Sequence, residues 1–291
     1  MQERLDWFKE EPQSWIDWEP VNGGLSTCRD LQKRYPSATT LVVEHNERRL
    51  LEVKKELGFI GFGRLFQYLL GFVPALKHSK LSKRGRRNFS LLPLNKPSQV
   101  DLVWANMLLH LVPNPTELIR SWHESLKVGG WVMFTCLGPD TSKQLRTIYQ
   151  DKGWTTPSHE FTDMHDWGDM LVEAGFADPV MDMERITLTY SSPDALIQDL
   201  RALGRNFNHE RFKGLRGKRW LEDFKSQLIK LSHPADSNLK GQEALNKPLA
   251  IPLTFEIIYG HAFKVAPKIK VTESSSFSAE DMRAMLKTKR T

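Results

Sequence analysis

Cysteine is nearly absent from this chain of 291 residues, which contains only Cys28 and Cys136. Two cysteines cannot form the disulfide framework of a small secreted domain, and their spacing is not that of a zinc site or a redox motif. The first ten residues, MQERLDWFKE, contain no apolar core of the kind found in secretory signals. These absences favour a reducing cytoplasm and predict that no metal centre is present.

The sequence also has no apolar run that would insert stably into a membrane. Its most apolar stretch, residues 58–76, is interrupted by Arg64 and Gln67 and contains Pro74. A basic run, residues 77–87, follows directly. Three interpretations of this segment stay open: a helical insert with a solvated basic edge, a docking patch for an acidic protein, and an interfacial membrane helix.

The charge balance favours an acidic partner without identifying it. The formal net charge is +6 and the pI is about 9.2, whereas 40% hydrophobic and 26% charged residues are typical of a soluble globular protein. Nucleic acid, anionic lipid and an acidic carrier protein would all be attracted, and a basic protein with no polyanionic partner is an equally open reading. No recognised nucleic-acid motif occurs, so we expect no nucleic-acid partner.

The order of predicted elements is typical of an α/β domain. A strand, a glycine-containing turn, a helix, a second strand ending in an acid and another helix follow one another in the first 57 residues. Near-continuous apolar runs further on indicate strands that are covered on both faces. The predicted strands are 15–18, 39–44, 100–105, 131–136, 180–190 and 253–265, and the predicted helices are 3–10, 25–34, 47–57, 114–126 and 164–174.

The carboxyl-terminal part is predicted to hold an antiparallel hairpin with a helical insert inside it. Residues 193–230 have a mostly helical pattern, with a basic helix at 211–219, and the turn Gly129–Gly130 is expected to end a helix. We therefore predict one domain over 1–265, with 191–252 as a helical lid insert, and a flexible tail over 266–291.

A nucleotide site on such a sheet needs a glycine-rich turn after its first strand. The usual motif is an acid followed by G-x-G-x-G. Aligned without gaps, Glu19 is the acid, Gly23 is the middle glycine, and Val21 and Leu25 replace the other two glycines. A shift of one residue would use Gly24 instead.

Two longer motifs connect the chain with a known family. Residues 134–146, FTCLGPDTSKQLR, are similar to the FSTFGPDTLxELR block of BioC-like methyltransferases. Residues 161–184 are similar to that family's DMHDxGDxLxxAGFxxPVMDME signature, and the agreement resumes at 200–204 and 257–262. The chain therefore resembles the BioC family of malonyl-acyl carrier protein methyltransferases over roughly residues 15–56 and 88–265.

This resemblance implies a Rossmann-like class I S-adenosylmethionine (SAM) methyltransferase fold, with a mostly parallel seven-stranded sheet and an antiparallel last strand. It implies transfer of a methyl group from SAM to the free carboxylate of a malonyl thioester on acyl carrier protein, on the way to pimeloyl precursors of biotin. Glu44 would accept the ribose hydroxyls, and Asn88 would lie near the adenine in place of the usual Asp. The implied cofactor-binding residues are Glu19, Gly23, Gly24, Glu44, Asn88 and Asn106.

The substrate carboxylate is already ionised at neutral pH, so its methylation requires alignment and no general base. A cation that orients the carboxylate is expected, and Arg146 and Arg201 are the candidates. Each could equally be a solvated helix arginine. His165, Asp166 and Asp169 resemble a metal cluster, but a capping role at a helix N-terminus is the better interpretation.

Three functional interpretations remain on sequence alone. The first is an active SAM-dependent carboxyl methyltransferase. The second is a catalytically impaired protein of the same fold that binds a carrier protein or other partner without turnover. Val21, Leu25, Leu111 in place of a common Trp, and the reduction of the family's leading helices to residues 1–14 favour the second. The third is a membrane-surface or nucleic-acid-binding protein that uses the basic run.

Overall fold

The computed structural model describes residues 1–57, 87–92, 99–204, 206, 208–232 and 249–266. The interpretations of the apolar and basic segment 58–87 and of the tail 266–291 therefore concern residues almost wholly outside the described ranges. Within these ranges, no helix is long and apolar enough to cross a membrane. Cys28 and Cys136 are both buried, and neither forms a disulfide bond with another described residue.

One seven-stranded sheet organises the described residues, in the order β3-β2-β1-β4-β5-β7-β6. All neighbouring pairs from β3 to β5 are parallel, and β7 is antiparallel to both β5 and β6. This arrangement confirms the predicted fold, including the antiparallel last strand. The strands are β1 (Ser14–Trp18), β2 (Thr39–Glu44), β3 (Arg87–Leu91), β4 (Val100–Ala105), β5 (Leu126–Leu137), β6 (Phe176–Tyr190) and β7 (Ile251–Lys264).

Helices connect the parallel strands and fill the insert between β6 and β7. Two short 3-10 helices, Gln2–Trp7 and Leu109–Leu111, accompany them. The α-helices are α1 (Pro20–Gly23), α2 (Leu25–Arg34), α3 (Glu47–Glu56), α4 (Pro115–Ser125), α5 (Lys143–Asp151), α6 (Met164–Glu173), α7 (Pro193–Leu203) and α8 (Lys218–Lys230).

Several helix starts are set by their first residues. Asn46, Asn114 and Ser192 each accept a hydrogen bond from the backbone three residues on, at 2.9, 3.3 and 3.2 Å, and these bonds begin α3, α4 and α7. Proline follows the cap in α4 and α7, where its missing N–H costs no helical bond. The sequence therefore determines these boundaries locally.

Tryptophans dominate the cores on the two faces of the sheet. Alternate strand residues point to opposite faces, so Trp15 and Ile16 enter different clusters. One face packs Trp122 and Trp167 from α4 and α6 against the sheet. The other face is covered by α2, α3 and the leading segment, where Phe8 stacks on Trp131 at 4.9 Å between ring centroids. The leading residues thus pack on a face of the sheet.

The structure corrects the predicted boundary before β5. Gly129 and Gly130 belong to the strand, which begins at Leu126, and they do not end a helix. The pairing with β4 shifts register between Val100 and Leu102, and Gly129 has a φ of 86°. A side chain at Gly130 would place its Cβ 2.9 Å from the carbonyl oxygen of Asp101. The two glycines therefore serve a bulge with close backbone approach.

The helical predictions for the insert were only partly right. Residues 211–217 are not helical, and α8 begins at Lys218, after Gly214 and Gly217 interrupt the pattern. Helix α5 was not predicted. At the start of α6, the cap is Asp163, whose carboxylate accepts a hydrogen bond of 2.9 Å from the N–H of His165. The cap thus lies two residues before His165, the first of the trio that was proposed for this role.

Candidate functional site

The carboxyl ends of β1, β2 and β4 bring five of the predicted cofactor residues together. These strands are neighbours in the sheet, so the turns that follow them meet at one edge. The backbone N–H of Val21 donates to Glu44 Oε1 at 3.0 Å, and Asn106 Nδ2 donates to the carbonyl oxygen of Gly23. Glu19, Gly23, Gly24, Glu44 and Asn106 thus share this edge, with residues 19–24 forming what we term the β1 turn.

The backbone of the β1 turn changes how the glycine motif aligns. Glu19 has a φ of 52°, in the left-handed region that favours glycine. Moving the motif back by two residues makes Asp17 its acid and puts Glu19, Val21 and Gly23 at the glycine positions. Only Gly23 is kept, and there a Cβ would lie 2.6 Å from the carbonyl oxygen of Asn106. We therefore interpret Asp17, in place of Glu19, as the acid of the motif.

Asp17 is a site residue that the sequence analysis missed. Its side chain is buried in β1, and burial raises its pKa to about 7, with the charge of Glu44 adding and a hydrogen bond with Cys28 opposing. Oδ2 has no hydrogen-bond partner among the described residues. A single acid inside the apolar run Trp15–Trp18 was the signal that could have identified it.

Glu44 is placed as a ribose-binding acid would be. It ends β2 beside the β1 turn, and its side chain is fully buried. Burial raises its pKa and the charge of Glu19 adds to the shift, while the N–H of Val21 opposes it. Within the described part of the chain, Oε2 accepts no hydrogen bond. A hydroxyl donor is what this buried acceptor requires, so the residue fits the nucleoside of SAM.

A charged network connects the β1 turn to residues 45–46, which we name the β2 turn. Glu19 Oε2 lies 2.9 Å from His45 Nδ1, 3.3 Å from Asn22 Nδ2 and 3.9 Å from Arg49 Nη1. Arg49 also donates to Asn22 Oδ1 at 2.8 Å. Each member therefore has a partner, and together they fix the side chain of Glu19.

This network includes three groups that could ligate a metal ion. One ligand atom each from Glu19, Glu44 and His45 lies within 4.8 Å of the others. Glu19 already pairs with the imidazole, and the guanidinium of Arg49 adds positive charge at 3.9 Å. A cation would have to compete with both interactions, so we interpret the group as an ion-pair network.

Asn106 links the end of β4 to β5. Its Oδ1 accepts from Thr135 Oγ1 at 2.5 Å, and Thr135 Oγ1 accepts from the N–H of Met107 at 2.9 Å. With the bond from Asn106 to Gly23, this chain of contacts runs across three strand ends. Asn106 therefore holds the β1 turn against the end of β4.

Asn88 lies apart from this edge, contrary to the expectation for the adenine. It pairs in register with Leu41, whereas Glu44 is level with Leu91. Strands rise by about 3.3 Å per residue, so Asn88 lies roughly 10 Å below the tip of β2 along the strand direction. The reason is the register of β3, which the sequence alone did not reveal.

The two arginines proposed for the substrate carboxylate have different environments. Arg146 in α5 donates to the carbonyl oxygens of Thr141 and Pro139, so its guanidinium supports the loop after β5. Arg201 is exposed near the end of α7. The two arginines therefore have different roles, because only Arg201 presents its charge to solvent.

His110 is a half-buried group at this side of the sheet. It lies between the ends of β4 and β5, and its Nδ1 accepts from the N–H of Leu137 at 3.3 Å. Burial lowers its pKa to about 4, and the charge of His159 adds to the shift. The imidazole is therefore neutral at pH 7. Nothing in the run LLHLV distinguished it from a packed histidine.

Comparisons with known proteins agree with this geometry. A family model described as a methyltransferase domain matches residues 76–134. A protein from Bacillus halodurans C-125, provisionally assigned as a methyltransferase, has a solved structure with a TM-score of 0.53 and 13% sequence identity, and the match covers 91% of this chain and 97% of that one. This likeness supports the fold.

Sequence relatives identify the family. The malonyl-[acyl-carrier protein] O-methyltransferase of Gallionella capsiferriformans is 33% identical over 270 residues, which are 92% of this chain and 83% of that protein. The enzyme of the same name from Laribacter hongkongensis is 34% identical over 273 residues, covering 92% and 81%. Similarity of this extent reaches well beyond a shared fold, and the chain belongs to the malonyl-[acyl-carrier protein] O-methyltransferase family.

Proposed function

We propose that this protein is a SAM-dependent methyltransferase that esterifies the free carboxylate of a malonyl group carried on acyl carrier protein, in the cytoplasm and in the synthesis of the pimeloyl precursor of biotin. The observation that carries the proposal is Glu44, a fully buried acid at the tip of β2 whose Oε2 accepts no hydrogen bond from the described residues. Family membership supplies the reaction type and the carrier.

The residues at the carboxyl edge have distinct parts in holding the cofactor. Glu44 would accept ribose hydroxyls, and the backbone of Gly23 and Gly24 would lie against the methionine part. Asn106 keeps the β1 turn in place through Gly23. When bound, SAM supplies a methyl group that is activated by its attachment to a positively charged sulfur.

The chemistry asks little of the protein beyond alignment and exclusion of water. The malonyl carboxylate is ionised at neutral pH and attacks without losing a proton, so no base has to be found in the site. A cation is needed to orient it. Arg201 is the candidate with a free charge, while Arg146 acts through the loop that it supports.

The lid presents a surface that suits an acidic carrier. We define the lid surface as the exposed cationic and apolar side chains between residues 201 and 219 that are named at the end of this paragraph. None of these cations forms an ion pair with a carboxylate of the described residues. Leu215 is fully exposed. Exposed cations attract an acidic partner, and the apolar side chains add contact area. The lid surface consists of Arg201, Leu203, Arg211, Phe212, Lys213, Leu215, Lys218 and Arg219.

A second candidate function is favoured by one observation. Glu19 and Val21 stand at glycine positions of the β1 turn, and the turn is bonded to the ends of β2 and β4. A protein that binds the carrier without methylating it would tolerate this arrangement. The two candidates differ in whether the cofactor binds.

Titration with S-adenosylhomocysteine separates them. The wild type is expected to bind it, and Glu44→Ala should lose about 1.5–3 kcal/mol of binding free energy, because a hydrogen bond to a charged group is removed. Glu47→Ala, which removes an exposed carboxylate at the start of α3, is the control and should bind as the wild type does. Absence of binding to the wild type at millimolar ligand would favour the non-catalytic function, and unchanged affinity in Glu44→Ala would reject the assignment of Glu44.

A further inference from the structure

Glu19 combines two features that rarely occur together. Its backbone has a φ of 52°, a conformation in which a side chain is strained. The re-aligned motif also gives it the first glycine position, where the backbone would approach a cofactor closely. A residue that is unfavourable on both grounds needs a compensating interaction to stay in place.

The compensation comes from the side chain. The side chain is 13% exposed, and its carboxylate is held by His45 at 2.9 Å, by Asn22 at 3.3 Å and by the charge of Arg49 at 3.9 Å. His45 belongs to the β2 turn and Arg49 to α3, so Glu19 joins the β1 turn to the start of the next helix. The nucleoside has to enter between these two turns, because Glu44 lies at their junction.

The charge of Glu19 also acts on Glu44 directly. Both carboxylates belong to one cluster with atoms within 4.8 Å, and Glu19 adds to the upward shift that burial imposes on the pKa of Glu44. The like charge of Glu19 therefore opposes the charge of Glu44 at the position that is proposed to hold the nucleoside.

We propose that Glu19 sets, and lowers, the affinity of this protein for SAM by fastening the β1 turn to the β2 turn. This inference rests on the proposed function and names the affinity-determining residue of the same site. The free protein favours the fastened arrangement, and binding must open it, so the apparent affinity falls with the fraction of open molecules. Glu19 touches no reacting atom and acts as a positioning residue.

The test is to remove the side chain and measure binding of S-adenosylhomocysteine by calorimetry. Glu19→Gly restores the residue that suits a φ of 52° and is expected to bind about tenfold more tightly than the wild type. Glu19→Gln keeps the side chain but loses the charge, and should fall between the two. Glu47→Gln removes an exposed carboxylate at the same end of α3 and should bind like the wild type. Thermal unfolding establishes that each variant is folded.

Steady-state kinetics add a readout that a purely structural role would not give. In Glu19→Gly the KM for SAM should fall, while kcat and the KM for the malonyl carrier stay unchanged. If the wild type binds S-adenosylhomocysteine and both Glu19 variants bind equally or more weakly, this inference is overturned and the proposed function stands. If neither the wild type nor Glu19→Gly binds at millimolar ligand, both are overturned.

Discussion

Asp17 is the buried residue whose charge conflicts most clearly with its surroundings. It lies inside β1, its Oδ2 has no hydrogen-bond partner in the part of the chain that the structure describes, and burial raises its pKa to about 7 from an ordinary value of 3.8. An acid that holds its proton more tightly in the folded state favours folding at low pH. Stability from this group is therefore lost as pH rises from about 4 to about 7.

Replacing Asp17 by Asn should remove this pH dependence, because the amide resembles the protonated acid and cannot ionise. The free energy of unfolding of Asp17→Asn, relative to the wild type, should rise across this window by at most about 1.4 kcal/mol per pH unit. Urea unfolding at pH 4, 5.5 and 7 measures it.

Asp101→Asn serves as a control of opposite sign. Burial alone would raise the pKa of Asp101, but hydrogen bonds from Lys127 and Ser14 outweigh it and lower the pKa. The stability that the Asp101 carboxylate contributes is present above its ordinary pKa and is lost in acid. Relative to the wild type, the free energy of unfolding of Asp101→Asn should therefore be lowest near neutral pH. Parallel behaviour of the two variants would contradict the burial argument.

The lid connector, residues 206–217, is held to the core by one arginine and two asparagines. The guanidinium of Arg216 lies 4.4 Å from the ring centroid of Trp220 and 5.6 Å from that of Trp154, and further rings are nearby. Asn206 and Asn208 donate to the carbonyl oxygens of Thr156 and Ser158 at 3.2 and 2.9 Å. These contacts hold a stretch whose described residues, 206 and 208–217, are not helical.

Arg216→Ala should loosen the lid connector, because it removes the cation from these aromatic faces and its hydrogen bond to Thr155 Oγ1 at 3.2 Å. The expected loss is about 1–2 kcal/mol of stability, the range for a partly desolvated cation–π contact. Cleavage by chymotrypsin near Phe212 should become faster. Arg211→Ala is the control, since among the described residues the guanidinium of this exposed cation donates to the backbone of Asn208 alone. Equal effects of the two changes would mean that the aromatic contacts do not hold the connector.

For the whole molecule, the effect of the net charge of +6 on partner binding depends on where the charged side chains lie. The exposed cations of the lid surface have no carboxylate partners among the described residues, whereas Lys127, Lys152 and Lys225 elsewhere are paired. Unpaired exposed charge steers association and is screened by salt. The basic run 77–87 is the competing candidate for carrier binding and lies almost wholly outside the described residues.

Charge reversal distinguishes the two surfaces. The double variant Lys213→Glu, Lys218→Glu should raise the KM for the malonyl carrier about tenfold, with little salt dependence left, because steering is lost. The KM for SAM should not change. Lys80→Glu, Lys83→Glu is the matched double reversal in the basic run, and it should leave carrier binding as it is. If the second pair has the effect and the first has none, the carrier docks on the basic run.

The sequence by itself determined the order of most strands and helices, with β3 and α5 as the exceptions, because apolar periodicity, helix caps and turn residues act within a few positions. Asn46 and Ser192 could be read in this way, and so could Glu44 at the end of a β-branched run. The long motifs of residues 134–146 and 161–184 led to the family for the same reason, since they are continuous in the chain.

Only the tertiary structure decided which residues meet at the carboxyl edge. The left-handed backbone at Glu19 re-aligned the glycine motif to Asp17, and the register of β3 put Asn88 level with Leu41. The guanidinium of Arg146 donates hydrogen bonds to the loop before its own helix. Register, backbone strain and burial depend on contacts with residues far away in the chain. A local sequence pattern therefore does not predict these three properties.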